Sequence, residues 1–181
     1  CDFITTGSPT YMEEIRESGM GCGLDDILKD RKDDSKGIIN GIDYNEWNPE
    51  TDKDLISNYS VSDLSGKEEC KKELLEEFKI KGYDDKPLFA IISRLADQKG
   101  FDELLLEGEP CALERILQNH DSAVVLIGTG DPKYVTKLSL LMSKYNNLSV
   151  KITFSTPLSH KTEAGADFFL MPSRFEPCGL N

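Results

Sequence analysis

Apolar residues are distributed in two ways along this chain. Some form short unbroken runs: Leu88–Ile92, Ala123–Ile127, residues 150–154 and residues 168–171. Runs of this length, rich in β-branched and aromatic residues, predict strands buried on both faces. Between them the apolar positions recur at helical spacing, over residues 101–117, over 132–145 and in a shorter stretch around His160. Strands alternating with helices predict a parallel sheet covered on both sides, a doubly wound α/β domain.

The first half reads differently. Residues 3–6 predict a short strand, and Ser8-Pro9 predicts a helix start, with Ser as N-cap and Pro in the first turn, running to about Glu17. Gly19, Gly21 and Gly23 end it, residues 24–31 predict a second helix, and residues 37–40 a strand. Residues 41–65 are polar and rich in Asn, Asp and Pro, a connecting segment in which the single tryptophan, Trp47, is expected to pack the linker down. Residues 67–80 predict an acidic amphipathic helix with Leu74, Leu75 and Phe78 on its apolar side. There is no internal repeat and no low-complexity tract.

Charge sharpens the picture. The 181 residues carry 21 Lys and Arg against 33 Asp and Glu, a net charge of -12. Such acidity argues against nucleic acid or an anionic membrane as a partner. The imbalance is confined to residues 1–85, with 22 acids and 11 bases; residues 86–181 hold 11 and 10. An anionic ligand is therefore better accommodated by the second half. No apolar run reaches the roughly 20 residues of a membrane span. The five cysteines form no Cys-x-x-Cys pair and there are two histidines, so a structural metal is not expected and reduced thiols are.

In a doubly wound sheet, ligands bind beyond the carboxyl ends of the strands. Arg94 and Lys99 follow the first apolar strand, and an Arg fork with a Lys point charge suits a diphosphate; the alternative is a pair of ordinary surface bases beside Asp97 and Asp102. Gly128-Thr129-Gly130 lacks the third small residue of a dinucleotide fingerprint, since Lys133 stands there; a tight turn explains it as well as a phosphate contact does. Glu176 precedes Pro177-Cys178-Gly179-Leu180-Asn181, where a helix start would aim the amides of Gly179, Leu180 and Asn181 at an anion, and Glu176 would then face a hydroxyl-rich group such as a sugar or simply favour the helix dipole. His160 has no acid partner in its own stretch, and Cys178 reads as a structural thiol rather than a nucleophile.

Taken together, the segments Ser8-Pro9-Thr10-Tyr11, Gly21-Cys22-Gly23-Leu24-Asp25, Asn40-Gly41-Ile42-Asp43, Trp47-Asn48-Pro49, Ser93-Arg94-Leu95, Gln98-Lys99-Gly100, Gly128-Thr129-Gly130-Asp131-Pro132, Ala164-Gly165-Ala166-Asp167 and, most specifically, Pro172-Ser173-Arg174-Phe175-Glu176-Pro177-Cys178-Gly179-Leu180 resemble bacterial glycogen synthases and plant starch synthases. The resemblance implies a GT-B fold. Residues 1–42 would be the end of the amino-terminal acceptor-side domain, 43–85 the interdomain linker and first helix, and 86–181 the first part of a Rossmann-like nucleotide-sugar domain. It implies transfer of glucose from ADP-glucose to the non-reducing end of an α-1,4-glucan, glycogen or starch, with retention and without a metal or other cofactor. By resemblance Arg94 and Lys99 hold the diphosphate, Glu176 acts at the glucose, and Cys178 lines the glucose side. Gly179 and Leu180 offer amides to phosphate, Phe154 stacks on the adenine, and Gly128 belongs to the donor site.

The match departs from the family pattern in places. Gly7 stands where Val is usual, Glu163 where the residue is typically uncharged, and the family's Lys-x-Gly-Gly loop is not in this stretch. The sequence therefore reads as an internal fragment that is not expected to catalyse alone, cytoplasmic if bacterial and plastidic if plant. Other retaining GT-B transferases, such as sucrose or trehalose-phosphate synthases, and a non-catalytic nucleotide-binding module are the competing readings. The preference for ADP-glucose over UDP-glucose stays open.

Overall fold

The computed structural model describes residues 1–17, 19–119 and 121–180. It divides into two compact units, Cys1–Asp43 with Phe175–Asn181, and Tyr44–Arg174.

In the first unit, β1 (Ile4–Thr6) pairs in parallel with β2 (Ser35–Gly37). Between them run α1 (Pro9–Glu14) and α2 (Asp25–Asp30). Ser8 caps α1 by accepting from the Tyr11 N–H at 3.0 Å, with Pro9 in the first turn as expected. The second strand sits two residues earlier than its apolar pattern suggests, and Ile38 and Ile39 are exposed. Backbone fit explains the shift. A Cβ on Gly37 would lie 2.0 Å from the Ser8 carbonyl oxygen, so only glycine lets the strand end that close to the start of α1.

The second unit opens with residues 44–64, which form turns with no helix or strand. Their polar side chains serve the local backbone: Asn48 Oδ1 accepts from the Glu50 amide, and Asn58 Nδ2 donates to the Pro49 and Asp52 carbonyls. The helix α3 (Ser65–Glu77) follows, and then a four-stranded sheet of β3 (Leu88–Ile92), β4 (Ala123–Ile127), β5 (Leu148–Lys151) and β6 (Phe168–Phe169). Strand order is β5-β4-β3-β6, all parallel. The connecting helices are α4 (Phe101–Leu105), α5 (Ala112–Asn119), α6 (Pro132–Lys144) and α7 (Thr156–Gly165).

Alternate residues of each central strand feed alternate cores. Ile91, Val124 and Leu126 pack with Phe101, Leu105, Leu113, Tyr134 and Leu138 on one face. Leu88, Ala90, Val125 and Ile127 pack with Leu74, Leu75 and Phe78 on the other. All five β4 side chains are at most 1% exposed, which is why an unbroken apolar run there is stable only as a central strand. Each large side chain so buried contributes about 1.5–3 kcal/mol.

Other expectations change in this unit, and the strand expected over 168–171 ends at Phe169. The single helix over 101–117 is broken into α4 and α5, because Gly108 takes φ +79° and Pro110 cannot continue a helical hydrogen-bond ladder. The strand expected over 150–154 instead spans Leu148–Lys151, in register with β4 through Val124↔Leu148. Ile152 and Phe154 lie beyond it and are exposed. No helix among the described residues is long and apolar enough to cross a membrane.

Candidate functional site

The chain leaves β3, winds outward through β4 and β5, and returns to β6 on the other side of β3. The order therefore reverses at β3, and the loops leaving the carboxyl ends of β3 and β6 flank that switch point, the place where open α/β sheets take ligands.

Backbone hydrogen bonds lock the loop after β3 to the loop after β4. Leu95 N–H donates to the Thr129 carbonyl and Asp131 N–H to the Leu95 carbonyl, both at 2.9 Å. A Cβ on Gly128 would meet the Ser93 carbonyl oxygen at 2.0 Å, and one on Gly130 the Leu95 oxygen at 2.2 Å. Close approach of two loops thus accounts for both glycines. The α6 start is closed as well, because Asp131 accepts from the Lys133 amide at 2.9 Å.

These loops border a shallow, open cavity of about 600 Å³ lined by Arg94, Ala96, Asp97, Thr129, Gly130 and Asp131. Arg94 is exposed there, its Nη2 donating to Gln98 Oε1 at 3.3 Å. Lys99 ends a 3-10 turn, Asp97–Lys99, and is half-buried. Gly100 follows with φ +72°, and a Cβ there would lie 2.0 Å from the Pro172 carbonyl oxygen. From the other side of the switch point, Arg174 N–H donates to the Gln98 carbonyl at 2.9 Å. The Arg174 guanidinium reaches Asp102 at 2.5 Å and Glu103 at 3.0 Å. Sequence reasoning passed over Arg174, since an Arg two residues from Glu176 reads as one more candidate base until its partners are seen.

Asp97 is the second residue missed. Its Oδ1 accepts from the Tyr134 hydroxyl at 2.5 Å and from Lys133 Nζ at 2.9 Å. Those two bonds hold its carboxyl below the usual Asp range, the tyrosine contributing most.

Phe154 lies on the loop after β5 and is 88% exposed, open to stacking. Glu176, Cys178, Gly179 and Leu180 belong to the first unit. There Glu176, Pro177 and Cys178 are half-buried, and a Cβ on Gly7 would come 3.1 Å from the Pro177 carbonyl oxygen, a contact that the small residue eases. The helix expected from Pro177 is not formed within residues 177–180. Gly179 sits at φ +72°, outside the right-handed helical region. The expected third amide, that of Asn181, lies outside the described residues.

His160 does have an acid partner, from far along the chain. Its Nδ1 lies 2.6 Å from Asp52 Oδ2, and the two residues are separated by 108 positions. Trp47 stacks on the imidazole at 3.9 Å between centroids, so the tryptophan does pack the linker onto α7. Trp47, Asp52, Tyr59, His160 and Glu163 line a cavity of about 250 Å³. Burial in it raises the Glu163 carboxyl above the usual range, opposed by the nearby His160. Asp52, Asp54 and His160 form a cluster with one potential ligand atom each within 4.8 Å, but Asp52 is already committed to His160 and to the Asp54 amide.

No family model matches the chain. A glycogen synthase of Myxococcus xanthus is 50% identical over 99% of it, and glycogen synthase 2 of Geobacter sulfurreducens is 48% identical over 99%. The chain spans about a third of those proteins, 36% in each case. Among solved structures, the catalytic domain of starch synthase IV from Arabidopsis thaliana, bound to ADP and acarbose, superposes with a TM-score of 0.86 at 31% identity, covering 99% of this chain and 36% of that one. The parallel doubly wound sheet has the fold of the GT-B class. Within that class, the chain is homologous over nearly its whole length to the glycogen and starch synthases.

Proposed function

We propose that this chain carries the donor-nucleotide part of a glycogen or starch synthase-type glucosyltransferase, one that moves glucose from ADP-glucose to the non-reducing end of an α-1,4-glucan with retention. The observation that carries the reading is the switch-point loop from Ser93 to Gly100, which holds Arg94 beside an open cavity at the carboxyl ends of β3 and β4 and keeps Lys99 in a rigid turn. The ADP in the starch synthase structure supports it.

Retaining glucosyl transfer develops positive charge on the sugar while a diphosphate leaves. Arg94 and Lys99 would supply fixed positive charge to the leaving group, so that in this reading no metal is needed for charge compensation. Preorganised charge of this kind is worth about 10²–10³ in rate for a single donor. Glu176 would stabilise the developing sugar cation or orient its hydroxyls, with Cys178 beside the glucose. The Gly179 and Leu180 amides would serve phosphate without needing a helix. Phe154 would stack on the base, and an exposed aromatic face accepts uracil as well as adenine, so Phe154 gives little discrimination between the two donors.

The test is titration of the 181-residue chain with ADP, and with UDP in parallel, read by backbone amide NMR. Shifts in residues 93–100 and at Phe154 on addition of ADP are expected, with affinity lost about tenfold or more in Arg94→Ala and Lys99→Ala, the cost of a charge-assisted contact. A well-dispersed spectrum indifferent to both nucleotides overturns the reading.

A further inference from the structure

We propose that Lys133 and Tyr134, in the first turn of α6, are positioning residues for the loop that carries Arg94 and Lys99, and that they act through Asp97. The proposal rests on the donor-site reading above and goes beyond it, since neither residue is in that site.

Asp97 opens the 3-10 turn between the two bases. Its carboxylate is tied on one oxygen to both residues, at 2.5 Å to the Tyr134 hydroxyl and 2.9 Å to Lys133 Nζ. Tyr134 is 0% exposed and its ring packs against Phe101, centroids 5.6 Å apart, so its hydroxyl is a fixed post rising from the core. The opposite end of the turn is held by Arg174 N–H on the Gln98 carbonyl and by the fit of Gly100 against Pro172. The turn holding Lys99 is therefore pinned at both ends.

The second effect is electrostatic. Asp97 lines the same cavity as Arg94, and an unmasked carboxylate there opposes an incoming diphosphate. Lys133 is the ammonium in contact with that carboxylate, and it also lies 3.8 Å from Asp131, the other acid lining the cavity. Its charge lets the loop keep an acid as a structural tie without paying for it in anion affinity.

The experiment compares ADP affinity of the 181-residue chain with that of K133M, D97N/K133M, Y134F and K99A. Lys133 is 44% exposed and its truncation does not open the core. K133M is expected to weaken ADP about threefold to tenfold, the size of a partly exposed charge effect. D97N/K133M is expected to recover much of the loss, because the carboxylate in direct contact with Lys133 is gone while Asp131, 3.8 Å away, stays. Y134F is expected to shift the amides of residues 96–100 without nucleotide present while those of β4 stay in place. Unchanged affinity in K133M, or a double variant as weak as K133M, overturns the proposal. K99A separates the two levels: if it loses ADP while K133M does not, the positioning role alone falls, and if it binds ADP normally the donor-site reading falls and takes this proposal with it.

Discussion

Arg174 donates from Nε to Glu103 Oε1 at 3.0 Å across 71 residues of sequence, while its backbone N–H holds the carbonyl of Gln98. The return strand β6 is thereby fastened to the first loop of the sheet at the switch point. The two kinds of bond differ in weight. The guanidinium is 46% exposed, and exposed ion pairs contribute little to stability. Arg174→Ala is therefore expected to leave the urea unfolding midpoint nearly unchanged. A marked fall in the midpoint would show that the side chain, rather than the backbone, closes the switch point.

Gly100 and Gly82 separate backbone strain from steric conflict. Both have positive φ, +72° and +79°, but only at Gly100 would a Cβ strike backbone, the Pro172 oxygen, while Gly82 faces open space. Gly82→Ala is expected to cost about 1–2 kcal/mol, the left-handed penalty alone. Gly100→Ala adds a collision that shifts the Lys99 turn, and is expected to cost about 2–4 kcal/mol and weaken ADP. Equal costs would mean that the Pro172 segment yields freely.

The pair of His160 and Asp52 is a polar tie between the linker and α7, with Trp47 stacked over it. His160→Ala leaves the Asp52 carboxylate without its partner and is expected to destabilise by about 2–3 kcal/mol. Trp47 is the single tryptophan, so its fluorescence should shift to the red as the ring loses its stacking partner. Unchanged emission would show that the linker holds Trp47 without the histidine.

Two glutamates give opposite pH signatures. Lys144 above all, then the Cys111 amide and the Tyr145 hydroxyl, lower the buried Glu114 carboxyl from 4.5 to about 2. Its contribution is fully present above the unfolded value of 4.5 and is lost as pH falls toward 2, so Glu114→Gln should flatten acid unfolding in that window. Glu163 is raised by burial, so its charged form is penalised in the folded state. Stability is then lost as pH rises from 4.5 through the raised value, and Glu163→Gln should raise the unfolding temperature at neutral pH. Melting curves from pH 2 to 8 read both; a Glu163→Gln variant less stable at pH 7 would contradict the burial penalty.

Local signals in the sequence determined much of the architecture. The runs Leu88–Ile92 and Ala123–Ile127 are strands at those bounds, because a run apolar at every position is satisfied only with both faces buried. Ser8-Pro9, Asp131-Pro132 and Ser155-Thr156-Pro157 start helices, because a cap acts within three residues of itself. The order of these elements was enough to predict the doubly wound sheet and the loops where a ligand belongs, and the resemblance named the candidate residues within them. Tertiary structure decided the rest. Where β2 and β5 lie was set by pairing with β1 and β4 rather than by their own apolar residues, and the break between α4 and α5 by Gly108 and Pro110 in place of the periodicity. The partners of Asp97 lie 36 and 37 residues away, that of His160 108, and those of Arg174 71 or more. Such contacts depend on where the folded chain crosses itself, and a pattern that reaches only a few residues carries no record of that.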